Sequence, residues 1–164
     1  MLRHCLCCLL FFLIAGPVRA LDAPQGRPLL IVGGMIAATN DGALARFDRA
    51  MLQALDWQEI ETYTEFTEGV HRLAGPSLAS LLAVLGVESG TLRAVALDDY
   101  VLEFPVSDAA DFGIVLAIER EGKPFGVRNR GPIWLVYPAR TPEEAGQLHT
   151  SRMIWQLTRL TVGP

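Results

Sequence analysis

Leu92-Arg93-Ala94-Val95-Ala96-Leu97-Asp98-Asp99-Tyr100-Val101-Leu102-Glu103-Phe104 holds two short apolar runs parted by a pair of acids. Valine, leucine and aromatic residues in runs this short suit a pleated, half-buried surface, and Asp-Asp suits a turn. The stretch therefore predicts strands over 92–97 and 100–104. Towards the C-terminus the pattern stays β. A single helical turn begun by Ser107 fits 106–112, 114–119 reads as a strand, and Glu121-Gly122-Lys123-Pro124 makes a turn. An arginine-rich loop at 126–131 leads into a strongly apolar strand over 132–137. Alternation through Ile154, Gln156, Leu157, Thr158 and Leu160 predicts a terminal strand over 152–162.

Towards the N-terminus the periods are mixed. Ser77 is placed to cap a helix whose inner stripe is Leu78, Leu81, Leu82 and Leu85 and whose stop is Gly86. Before it, 57–66 reads as a strand followed by a polar loop at Thr67-Glu68-Gly69. The run Leu29-Leu30-Ile31-Val32-Gly33-Gly34 reads as a buried strand. Asn40-Asp41-Gly42 then caps an expected helix over 43–55, with Leu44, Phe47, Met51, Leu52 and Leu55 on one stripe. With no repeat, linker or low-complexity stretch, the reading is one α+β domain over 21–164 with a mixed sheet.

Residues 1–20 carry the three parts of a cleavable signal peptide: a basic start at Arg3, an apolar run from Cys5 to Ala15, and a small-residue site at Val18-Arg19-Ala20. Eleven apolar residues span roughly 16 Å as a helix, about half of a hydrocarbon core, so cleavage and export to the periplasm is the expectation rather than an anchor. Cleavage removes all 3 cysteines, leaving stability to a buried core. It also removes Arg3 and Arg19, leaving 12 basic against 18 acidic side chains, a net charge of −6. That is a poor balance for gripping nucleic acid or an anionic membrane, and no nucleic-acid partner is expected.

Enzyme signatures are missing: there is no Gly-x-Ser-x-Gly elbow, no phosphate-binding loop and no His-Glu-x-x-His. His71 and His149 read as ordinary surface or loop residues, and the acids Asp98-Asp99 and Asp108/Asp111 as solvated positions. The denser signal is Arg128-Asn129-Arg130-Gly131-Pro132 running into Ile133-Trp134-Leu135-Val136-Tyr137. Guanidinium groups beside a Trp and a Tyr suit a flat heterocycle, which they stack on and bond at its edge. The competing reading is a rim of exposed arginines over a core strand.

These blocks, in order, resemble the molybdopterin-binding domain of the sulfite oxidase fold: Gly69-Val70, Leu73–Leu82, Ala94–Tyr100, Gly122-Lys123-Pro124, Arg128, Gly131-Pro132, Leu135–Pro138 and Trp155-Gln156-Leu157. Catalytic members of that superfamily hold molybdenum through a cysteine thiolate, which the mature chain lacks. The chain is closer to small periplasmic pterin-binding proteins of bacteria, through Thr62–Gly69, Asp99-Tyr100, Arg128–Trp134 and Arg152–Leu157, with Phe66 and Glu68 where Trp and Asp are more usual. The resemblance implies a non-catalytic receptor for a reduced pterin, with molybdopterin and molybdenum not expected. It also implies a membrane partner, such as the periplasmic domain of a diguanylate cyclase or phosphodiesterase of cyclic di-GMP metabolism, or of a sensor kinase. Rival readings are an oxidoreductase without a thiolate and a ligand-free scaffold.

On that resemblance, the pterin site draws on Thr64, Glu68, Asp99, Tyr100, Arg128, Trp134, Tyr137, Arg152 and Trp155. A carboxylate, Asp99 or Glu68, accepts from the 2-amino and ring N–H groups. Arg128 or Arg152 donates to the oxo group, and Trp134, Tyr100 or Trp155 covers the ring face. For Asp99 the competing reading is a turn residue between strands; for Trp134 and Trp155 it is core packing.

Overall fold

The computed structural model describes residues 21–164; the signal-peptide reading of 1–20 lies outside the described residues, as does the side chain of His149. Leu30–Gly34 forms β1, with Leu30 and Val32 fully buried, and Ala45–Phe47 forms β2 antiparallel to it. The expected helix over 43–55 is therefore corrected to a strand followed by one short helix, α1 (Arg49–Gln53). The reason is local. Ala45 and Phe47 are buried on either side of half-exposed Arg46, a period of two. The Asn40 side chain donates to Arg46 O and accepts from Arg46 N, holding that backbone extended. Asp48 starts the helix instead: its carboxylate accepts from Met51 N at 2.9 Å and from Gln25 N and Gly26 N at 2.7 Å. These bonds, led by that from Met51, hold its carboxyl below the usual carboxylate range.

β3 (Trp57–Thr64) and β4 (Thr67–Pro76) form a long antiparallel hairpin. The polar loop expected at Thr67-Glu68-Gly69 is the start of β4; the turn itself is only Glu65-Phe66. Its polar residues are tolerated because β4 buries only its far end, Leu73–Pro76. α2 (Leu78–Leu85) is as expected. Ser77 Oγ accepts from Ser80 N, the four leucines of the stripe are buried, and Gly86 closes the helix in the left-handed region at φ 69°. At about 2 kcal/mol for each buried leucine, this stripe is a main anchor of the helix.

β5 (Thr91–Ala96) and β6 (Val101–Pro105) are the two opening runs, paired antiparallel. After them come α3 (Asp108–Asp111), β7 (Val115–Ala117), β8 (Glu119–Arg120) and β9 (Lys123–Pro124), then a 3-10 turn at Val127–Asn129 and β10 (Trp134–Val136). The expected terminal strand over 152–162 is corrected at its start. Arg152 ends α4 (Gln147–Arg152), and β11 (Leu157–Gly163) begins only after Trp155 and Gln156. Gln156 sits at φ 53°, in the left-handed region and outside the extended backbone of a regular strand.

The strands form a five-stranded mixed sheet in the order β2-β1-β11-β5-β6, a four-stranded antiparallel sheet β3-β4-β8-β9 and the pair β10-β7. In the first, β1 runs parallel to β11 and every other pairing is antiparallel. Among the described residues the protein is mostly β, with few short helices, mixed and antiparallel sheets and no barrel; the α+β expectation overstated the helices. The smaller sheets approach closely where β4 passes β7: a Cβ on Gly75 would lie 2.0 Å from Leu116 O. No helix among the described residues is long and apolar enough to cross a membrane.

Candidate functional site

Three turns meet at one end of the five-stranded sheet. The first is Leu97–Tyr100, between β5 and β6. Ala96 N donates to Tyr100 O, Asp99 N to Ala96 O, and the Asp98 carboxylate accepts from Tyr100 N at 3.2 Å. This tight closure puts Asp99 at φ 64°. The second is Met153–Gln156, between α4 and β11, and the third is the β3–β4 hairpin tip at Phe66. Together they enclose a cleft of about 300 Å³. Tyr100, Trp155 and Phe66 supply aromatic surface, Ala96, Met153 and Ile154 apolar surface, and Asp98 and Thr150 the polar groups. Its volume lies at the small end of the range for ligand sites, and its balance of much apolar with little polar lining is typical of them.

The turns are stitched to one another. Leu97 N donates to Gln156 O, Gln156 N to Arg130 O, and Gln156 Nε2 to Val127 O at 2.8 Å. Three of the four non-glycine residues with positive φ among the described residues, Asp99, Arg130 and Gln156, are in this network. Left-handed backbone is costly for such residues and gathers where surrounding structure has a use for it.

Behind the cleft wall lies Arg130. Its guanidinium carbon is 5.0 Å from the Trp155 ring centre, 5.2 Å from that of Trp134 and 5.7 Å from that of Phe66. Phe66 and Trp155 themselves meet edge to face at 4.9 Å. Arg130 Nη2 donates to Phe66 O at 2.6 Å, tying the hairpin tip to the loop before β10. Burial, and after it the charge of Arg120, lowers the Arg130 pKa from its ordinary value.

A second cluster fixes α4. Asp108, almost fully buried, accepts from the Tyr137 hydroxyl at 2.7 Å and pairs with Arg152 at the end of that helix. Burial first, then the bond to Asp108, push the Tyr137 phenol up; the same carboxylate raises the Arg152 pKa. Because Met153 follows Arg152 directly, this pair sets where the cleft wall begins.

Of the nine residues expected at the site, the structure brings Tyr100 and Trp155 into the cleft lining. Asp99 is exposed beside it, and its neighbour Asp98 supplies the lining carboxylate. Trp134 is only 1 % exposed, the packing role set against ligand contact, and it is not among the cleft-lining residues; Arg130 lies over its ring. Tyr137 is wholly buried and bonded to Asp108, and Arg152 is engaged by the same acid. Thr64 bonds Thr67 at 2.8 Å and lines a separate hollow under the hairpin with Tyr63 and Pro142. Glu68 is exposed on β4, and Arg128 is exposed on the 3-10 turn. Sequence reasoning read Arg130 in the arginine-rich loop beside Trp134 but left it out of the site, read Asp98 as a solvated position, and passed over Met153, Ile154 and Thr150. For Arg130 the signal was its place in the loop that leads to Trp134; for Met153, Ile154 and Thr150 only the unexpected end of α4 reveals them. Among the described residues no group of three or more His, Cys, Asp or Glu side chains is gathered as a metal site would need. No protein-family model and no curated protein matches the chain.

Proposed function

We propose that this protein is a non-catalytic pterin-binding protein of the sulfite oxidase fold, exported to the periplasm, where it acts as a sensor on a membrane enzyme of cyclic di-GMP metabolism. The observation that carries the binding step is the cleft itself: aromatic rings of Tyr100, Trp155 and Phe66 around a space with a single lining carboxylate, Asp98. A pterin is flat, with adjacent amino and N–H donors at one edge. Stacking on an aromatic face suits its rings, and a carboxylate suits that edge through charge-assisted bonds. The export and signalling steps rest on residues 1–20 and on the resemblance of the blocks above.

The lining residues do not fit a molybdenum centre of the kind the fold's catalytic members carry. They offer a carboxylate, hydroxyls and the Met153 thioether, but no thiolate. A bound pterin here is a ligand rather than a platform for metal redox work. Purification from the periplasm under anaerobic conditions, followed by mass spectrometry and fluorescence of the released small molecules, tests the reading. A reduced pterin in near-stoichiometric amount is the expected result; protein that carries none and takes up none when supplied contradicts it.

A further inference from the structure

Two buried donors behind the cleft have no acceptor. Arg130 Nη1 and Trp134 Nε1 are both shut off from solvent, and among the described residues neither has a hydrogen-bond partner. They belong to one stacked pair, with the guanidinium carbon 5.2 Å from the indole ring centre. Buried N–H groups are normally satisfied, so two within one stacked pair are the complement of an acceptor and not of a further donor. Phe66 and Trp155 line the cleft and both pack on the same guanidinium, so these two rings stand between the cleft and the pair. Arg130 Nη2 is already committed to Phe66 O, which fixes the guanidinium plane and leaves Nη1 for an incoming group.

We infer that Arg130 and Trp134 read the 4-oxo group of the ligand, and so select 2-amino-4-oxopteridines against pteridines with a donor at position 4. This rests on the pterin reading above and adds to it the atom that is recognised. The polar ends of the site then divide the work: Asp98 at the mouth accepts from the amino edge, while the Arg130–Trp134 pair donates to the oxo edge once the Phe66 ring turns aside from Trp155. Neither donor would have a use for a 4-amino group, whose N–H bonds would face theirs. Sites built to bond one polar group reject analogues that lack it far more strongly than apolar sites reject a changed methylene.

The test is a pair of calorimetric titrations of the purified protein under argon, one with tetrahydropterin and one with its 2,4-diamino counterpart, which carries an amino group in place of the 4-oxo group and a bare N3 in place of N3–H. The expected result is binding of the first at least ~30-fold tighter than the second. Trp134→Phe, which keeps a ring and removes Nε1–H, should shrink that ratio by roughly tenfold while a thermal melt shows it folded. Should that variant fail to fold, Asp98→Ala separates the two edges: a ratio that persists in it belongs to the oxo edge, and a ratio that collapses there overturns the inference. Equal affinity for the two compounds overturns the inference and leaves the pterin reading standing. If neither compound binds, the pterin reading falls and this inference with it.

Discussion

Tyr100 shows how a single side chain separates binding from folding. It is 54 % exposed, yet lines the cleft from a turn held by backbone bonds and by the Asp98 carboxylate. Tyr100→Ala should leave the melting temperature unchanged and weaken pterin binding about tenfold, the worth of one aromatic face; titration calorimetry beside a thermal melt reads both. Asp48 is the opposite case, distant from the cleft and purely structural. Its folded carboxyl lies below the usual carboxylate range, so its contribution to stability is complete above the unfolded value near ~3.9 and is lost as pH falls through that value towards the folded one. Melts from pH 7 down to ~3 should therefore fall less steeply in Asp48→Asn than in the parent, with the variant the less stable of the two at neutral pH.

At the scale of elements, α4 and the segment after it define the cleft wall, and Asp108 is what holds them. Asp108→Asn removes the charge facing Arg152 and leaves a single amide oxygen where the carboxylate served both Arg152 and the Tyr137 hydroxyl, with an expected loss of about 2–3 kcal/mol in chemical denaturation. Pterin affinity should fall as well, since Met153, Ile154 and Trp155 follow the freed helix end. This element also marks where the sequence ceased to be legible. The leucine stripe of α2 and the opening β5–β6 runs announced themselves because each has one period and a matching stop, Gly86 or Asp-Asp. Residues 152–157 have no such uniformity: Arg152 is held by an acid far along the chain, and Gln156 is bent by bonds to Arg130 and Val127. A tertiary bond leaves no periodic trace. The same cause accounts for 43–47, where Asn40 and pairing with β1 override a stripe that suited a helix. Within the site, the aromatic partners could be read because stacking is a property of residue type. Which arginine sits behind them depended on the turn that places Arg130 among three rings while leaving Arg128 in solvent.

Over the whole molecule, the cleft exists because turns of two sheets and the segment after α4 converge and are bonded to each other. The small sheets meet backbone to backbone where Gly75 passes Leu116, with no room for a side chain. Gly75→Ala should cost roughly 3 kcal/mol or more by forcing β4 away from β7, seen as a lower denaturation midpoint. The loss would reach the site through the hairpin whose tip carries Phe66. That the β3–β4 hairpin, the β5–β6 turn and the α4–β11 segment all end at the same cleft is the physical basis for assigning a ligand to it. The most direct measurement is a crystal structure of the protein grown with tetrahydropterin. The account predicts ligand density between Tyr100 and Trp155, with its amino edge on Asp98; density at any other site, or a bound pterin that leaves those three residues untouched, would contradict it.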